Sequence, residues 1–152
     1  VSISARLEEL GIELPTVVPP VAAYVPAVVH AGLVYTSGQL PFTDGALPGT
    51  GKVGAGVDAA DAKDYARTCA LNALAAAADA AGGIEKIAGV LRVGGFVASD
   101  PAFTGQPGVI NGASEVLGEI FGDAGKHARA AVGVTVLPLD TPVEVEVTFI
   151  LA

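Results

Sequence analysis

The chain has 152 residues, of which 51% are hydrophobic and only 16% charged, and it carries a net charge of −8. That length supports one domain, residues 1–152, with a real core. The sparse charge predicts that part of the surface lies in an oligomer, or else reflects an alanine- and glycine-rich bias. Eight basic residues spread thinly through an acidic chain argue against general nucleic-acid binding, and a lone cysteine, Cys69, excludes a disulfide framework or a thiolate metal cage. No uninterrupted apolar span reaches membrane length and no signal peptide is recognised, so no membrane partner and a cytoplasmic setting are expected.

Ser2 to Leu10 predicts a short amphipathic helix, with Ser4 as N-cap and Gly11 as its stop. Pro15, Pro19 and Pro20 then enforce an extended lead-in, which makes residues 1–20 an N-terminal helix and proline-rich extension. Tyr24 to Val29 and Leu33 to Ser37 are β-branched or aromatic runs divided by Ala31-Gly32, the pattern of paired strands. Pro41 to Gly56 reads as a glycine-rich loop with one short strand at its end. Within it, residues 49–54 match G-x-G-x-x-G, but they follow Pro48 rather than a strand and open no helix, so the dinucleotide reading fails.

Asp58 to Ala81 is the strongest helix signal, started by Asp58 and stopped by Gly82-Gly83, with Cys69 expected as a buried structural thiol. Ile84 to Ala88 adds a helical turn and Val90 to Ala98 a strand. Val109, Ile110, Ala113, Val116, Leu117, Ile120 and Phe121 recur at helical spacing, with Pro107 in the first turn and Gly122 past the end. His127 to Leu137 and Val143 to Leu151 are the clearest strands, and the short link between them predicts an antiparallel hairpin. The order β-β-α-β-α-β-β predicts an α+β architecture, a mixed sheet with two helices on one face.

Alternation along residues 127–137 puts Ala128, Ala130, Val132, Val134 and Val136 on one face, expected to be core. Arg129 shares the other face with His127, Ala131, Gly133 and Thr135. Small neighbours leave room for its guanidinium to grip a carboxylate, although a surface ion pair is the alternative. In the last strand Val143, Val145, Val147, Phe149 and Leu151 share a face, and Glu144 and Glu146 lie opposite. Those glutamates either form a solvated face or, closed against a neighbouring subunit, include one with a raised pKa able to handle water and protons. His30 and His127 lack acidic or thiol partners at ligand spacing, so no metal site is expected. Ser37 lacks the elbow motif of a hydrolase nucleophile.

Four dispersed segments belong together: AAYVPAV around Tyr24, LVYTSGQLP around Ser37 to Gln39, VINGA around Asn111, and HARAAVGVTVLPLDTPVEVEV at the end. Together they resemble the RidA/YjgF family, also labelled endoribonuclease L-PSP, from about Ala22 to the C-terminus. The resemblance implies a chorismate-mutase-like fold, a homotrimer, and hydrolytic deamination of 2-imino or enamine acids to 2-oxo acids and ammonia, with no cofactor. By motif it places the carboxylate-binding arginine at Arg129, the water-handling glutamate at Glu144 and the pocket tyrosine at Tyr24. Ser37, Gly38, Asn111 and Ala131 fall at substrate-binding places. Ala131 stands where many members have cysteine, which excludes thiol chemistry there. Tyr24 lies in Ala-Tyr-Val-Pro-Ala rather than P-Y-x-x-G. The N-terminal extension, the 41–56 loop and the GFVASDPAFTGQP segment resemble a longer branch of the family.

In the expected hairpin Arg129 lies opposite Ile150, and Glu144 opposite Thr135. That separates them by about six residues, on the order of 20 Å. Each pocket is therefore expected to take Arg129 from one subunit and Glu144 from the next, with a small carboxylate as ligand. A non-catalytic 2-oxo acid binding module, an L-PSP-type ribonuclease and a pericyclic catalyst are the competing readings.

Overall fold

The computed structural model describes residues 1–17 and 22–152, so Pro19 and Pro20 of the expected extended lead-in lie outside the described residues. Helix α1 spans Ile3–Glu9. Its N-cap is Ser2, not Ser4: the Ser2 hydroxyl accepts the Ala5 amide at 3.2 Å. Ser4 lies inside the helix and donates its hydroxyl to Glu85 instead.

Strands β1 (Ala27–His30) and β2 (Leu33–Thr36) form a hairpin whose turn residues Ala31 and Gly32 have φ of 51° and 79°. Two left-handed residues match the right-handed twist of the paired strands. β1 begins later than the sequence pattern predicts. Pro26 has no N–H to give to a ladder, so Tyr24 falls in the preceding bend rather than on a strand. The loop after β2 carries two short strands, β3 (Lys52–Val53) and β4 (Gly56–Val57), where one was expected.

Helix α2 (Ala59–Ala81) ends at Gly82, whose φ of 89° supplies the left-handed cap. A 3₁₀ turn at Ile84–Lys86 leads straight into β5 (Ile87–Ala98). Helix α3 (Gln106–Phe121), β6 (Ala128–Val134) and β7 (Val143–Leu151) complete the chain. No helix among the described residues is long and apolar enough to cross a membrane.

The sheet order is β1-β2-β7-β5-β6. The expected hairpin of the last two strands is therefore not formed. β6 pairs with β5 in parallel after the α3 crossover, and β7 runs antiparallel between β2 and β5. Eight residues, 135–142, separate β6 from β7. A segment of that length reaches over a neighbouring strand as easily as it turns back on itself, since one strand spacing is only about 5 Å.

Both α2 and α3 cover one face. Val143, Val145, Val147 and Phe149 point into it and are buried, as the alternation predicts. They meet Ala62, Ala66, Cys69, Ala70, Ala73 and Leu74 of α2 and Val109, Ile110, Ala113 and Leu117 of α3. Methyl side chains let α2 approach closely. At Gly112 no side chain fits at all, because a Cβ would strike the Lys63 carbonyl. Burial pushes the Cys69 thiol well above its ordinary pKa, with the charge of Glu144 adding to the effect, which suits a structural rather than nucleophilic role.

The valine face of β6 is not core. Val132 is 44% and Val136 60% exposed. Alternation says which residues share a face, not which face a helix covers. Here α3 lies over Arg129, Ala131 and Gly133, and a Cβ at Gly133 would meet Gln106. Among the described residues, the opposite face of the sheet carries no helix and presents Val28, Tyr35, Phe96 and Val132.

Candidate functional site

Arg129 stands on β6 in register with Val93, a fully buried residue of the helix-covered face. Its guanidinium reaches up to α3. Nη1 donates to Asn111 Oδ1 at 2.8 Å and to Ser114 Oγ at 3.1 Å, and Nη2 donates to the Pro107 carbonyl at 3.2 Å. Residues 107, 111 and 114 are four and three apart, so one stripe of α3 supplies all three acceptors. None of them is charged, and among the described residues no carboxylate lies within ion-pair distance of Arg129. The surface ion pair expected as the alternative is absent there. The Asn111 side-chain oxygen is thus engaged by the arginine.

Ser114 and His127 extend this cluster. Ser114 Oγ lies 2.9 Å from His127 Nε2, and His127 Nδ1 lies 2.6 Å from the Gly125 carbonyl. The sequence offers His127 no metal partners and does not by itself single out Ser114. Two signals were present: the 107-111-114 stripe, and the placement of His127 and Arg129 on one face of the strand.

Glu144 is in register with Phe96 of β5, and Glu146 with Gly94. Val93 and Phe96 are three residues apart in a regular part of β5, so their register partners Arg129 and Glu144 lie on opposite faces. The separation along the strands is three residues rather than six, about 10 Å, with a further 10 Å or so across two strand spacings. Proximity is greater than expected, but the sheet itself stands between the two groups. One small molecule therefore cannot touch both within a chain.

The Glu144 carboxyl is half-buried, and burial raises its pKa above the ordinary carboxylate value, with Glu146 adding like-charge repulsion. The burial arises inside the chain. The segment after β2 bridges to β7 through Gln39 and Val145, whose amides and carbonyls exchange bonds of 2.8 and 3.0 Å. This lays Gly38 against the Glu144 side chain, and a Cβ there would collide with Oε2.

Ser37 neighbours Gly38, but its hydroxyl donates to the Val25 carbonyl at 2.7 Å and its amide to that of Pro26 at 2.8 Å. It ties the strand ends together. Tyr24 is 62% exposed in the adjoining bend. Ala131 is half-buried against the core on the Arg129 side. The candidate residues thus form two clusters. Arg129, Asn111 and Ala131 lie between β6 and α3; Ser37, Gly38 and Glu144, with Tyr24 nearby in the chain, lie where β2 ends and β7 begins.

Residues 4–150 match the model of a family described as "YjgF/chorismate_mutase-like", to which an endoribonuclease role is attached as a supposition. The chain is 39% identical over 145 residues to Protein TCP17 of Trypanosoma cruzi, covering 95% of this chain and 91% of that protein. The crystal structure of protein Atu1372 from Agrobacterium tumefaciens, of unknown function, superposes with a TM-score of 0.90 at 44% identity, over 99% of this chain and 92% of that one. The YjgF gene product of E. coli gives a TM-score of 0.63 at 26% identity, over 87% and 91% of the two chains. The fold, the four segments and the near full-length match agree, and the chain belongs to the YjgF/chorismate-mutase-like family.

Proposed function

We propose that this protein is a cytoplasmic homotrimer that hydrolyses 2-imino or enamine acids to 2-oxo acids and ammonia in pockets between subunits. The observation that carries the reading is Arg129, a half-buried guanidinium held by three neutral acceptors and matched to no carboxylate among the described residues. Such a group is set up to receive a ligand carboxylate. The apolar, helix-free sheet face, with Val28, Tyr35 and Val132 exposed, supports self-association. Separation of Arg129 and Glu144 by the sheet supports a pocket that draws them from different subunits.

In this mechanism Arg129 binds the carboxylate and leaves the adjacent C=N bond beside Glu144 of a neighbour. Glu144 takes a proton from water as the water oxygen bonds to the imine carbon. It returns that proton to nitrogen to give a carbinolamine, then takes the hydroxyl proton and passes it to nitrogen as well, so that ammonia departs with the C–N electron pair while the C=O bond of the 2-oxo acid forms. A carboxyl with a raised pKa suits both halves of that exchange near neutral pH. Tyr24 lines the pocket. The test is ammonia release from freshly generated 2-iminopropionate. The wild-type trimer accelerates it and Arg129→Ala abolishes the acceleration; a folded trimer without acceleration refutes the proposal.

One observation favours a second reading, a carboxylate-binding protein without turnover. The Ser37 hydroxyl is committed to Val25, and position 131 has no thiol, so neither of these two places can move protons beside Glu144. Calorimetric binding of 2-oxobutyrate without deamination would establish that reading. The net charge of −8 weighs against ribonuclease activity.

A further inference from the structure

We propose that Ser114 and His127 are positioning residues for Arg129: His127 sets the direction of the Ser114 hydroxyl, and Ser114 sets the guanidinium so that its remaining N–H groups face a carboxylate. This deepens the imino-acid reading and rests on it for the identity of the ligand, though not for the hydrogen-bond chain itself.

The direction of the chain follows from its last acceptor. A backbone carbonyl only accepts, so the 2.6 Å contact between Gly125 O and His127 Nδ1 requires a proton on Nδ1. In the neutral ring Nε2 is then a bare acceptor. The Ser114 hydroxyl, 2.9 Å away, donates to it. That turns the oxygen's lone pairs to Arg129, whose Nη1 donates at 3.1 Å. The terminal carbonyl is itself pinned, because Gly125 is buried so tightly that a Cβ would lie 2.6 Å from the Leu117 carbonyl.

The arrangement defines what is left of the guanidinium. Arginine has about five N–H donors in a planar fork. Nη1 serves Asn111 and Ser114, and Nη2 serves Pro107. One Nε–H and one Nη2–H remain, on neighbouring nitrogens, which is the pair that two oxygens of a planar carboxylate require. Without Ser114, Nη1 keeps a single acceptor and the plane gains freedom to turn. The part played by the serine and histidine is comparable to that of outer-shell residues that fix the tautomer and orientation of a metal ligand.

Two measurements on the full-length protein test this. Nitrogen-resolved NMR of neutral His127 is expected to show the Nδ1–H tautomer, with separately resolved Arg129 Nη resonances that merge in Ser114→Ala and in His127→Ala. Calorimetry with 2-oxobutyrate is expected to show about tenfold weaker binding in each variant, no further loss in the double variant, and near-normal binding in Ser114→Thr, which keeps the hydroxyl. An Nε2–H tautomer, or Arg129 resonances untouched by Ser114→Ala, overturns the proposal. Equal affinity in wild type and Ser114→Ala overturns it as well. If the wild type binds no 2-oxobutyrate, the proposed function fails, and the NMR result alone still decides whether Ser114 and His127 position Arg129.

Discussion

Gly38 lies so close to Glu144 that a methyl group on the glycine would occupy the place of the carboxylate. Gly38 does not have a positive φ, so alanine meets no backbone penalty there, and its effect falls on the side chain opposite. Gly38→Ala is expected to expel the Glu144 carboxyl toward solvent and reduce imine turnover by at least tenfold, with Tm lowered by only about 2–4 °C. Steady-state kinetics beside calorimetric melting checks this; normal turnover would show that the carboxyl's position is not critical.

Glu144→Gln tests the raised pKa in a different way. A carboxyl whose pKa is higher in the folded than in the unfolded chain holds its proton more tightly when folded, so stability falls as pH rises from the unfolded value through the folded one. At pH 7 the charged form therefore costs stability. Glutamine removes that cost, and Tm at pH 7 is expected to rise by about 1–2 °C, a small gain because a half-buried charge is partly screened by solvent. The gain vanishes below the unfolded glutamate range, about pH 4, while deamination is lost throughout. A lower Tm at pH 7 would contradict the assignment.

Glu85 holds the first helix across a long stretch of sequence. Its carboxylate accepts the Ile3 amide at 3.1 Å and the Ser4 amide at 2.9 Å, together with the Ser4 hydroxyl. The Ser4 hydroxyl and these amides hold the Glu85 pKa below the usual value. For a depressed carboxyl, the stabilisation is fully present above the unfolded pKa and is lost as pH falls through the folded one. The protection factors of the Ile3 and Ser4 amides, taken against the intrinsic exchange rate at each pH, should fall on acidification into that range, and at neutral pH in Glu85→Ala. Unchanged protection in Glu85→Ala would show that the helix is held by its apolar side alone.

Gly112 marks where α2 and α3 come closest. Gly112→Ala puts a methyl group into the Lys63 carbonyl, and the helices must separate to relieve it. The expected loss is about 2–3 kcal/mol, measured by urea denaturation. Because Asn111 and Ser114 lie beside it on α3, the same change should also weaken 2-oxobutyrate binding.

Much of the fold was legible because long elements repeat their pattern. The valines of residues 143–147 declared both a strand and its buried face, and the 109–121 spacing declared α3. Pairing was less legible. The link between β6 and β7 is equally compatible with adjacent strands and with strands that leave a gap, and only long-range contacts with β5 decide. The face of β6 was misjudged for a related reason. Alternation groups residues by face without saying which face is covered, and Val132 stands on the open side of the sheet, where no helix among the described residues covers it. In the candidate site, Arg129 and Glu144 stood out as charges among small or apolar neighbours. Ser114 and His127 did not, since a serine within a helix and a histidine beside a strand acquire meaning only when the crossover brings them to 2.9 Å.

The place of β7 governs the order in which the chain can assemble. β1 and β2 on one side, and β5 and β6 on the other, meet only through this last strand, which pairs with both. A nascent chain emerging from a ribosome can form the α3 crossover early. It cannot close the sheet until residues 143–151 are released, and until then the inner edges of β2 and β5 remain open to mispairing. Shortening the chain into β7 therefore removes the keystone of the sheet rather than trimming its margin.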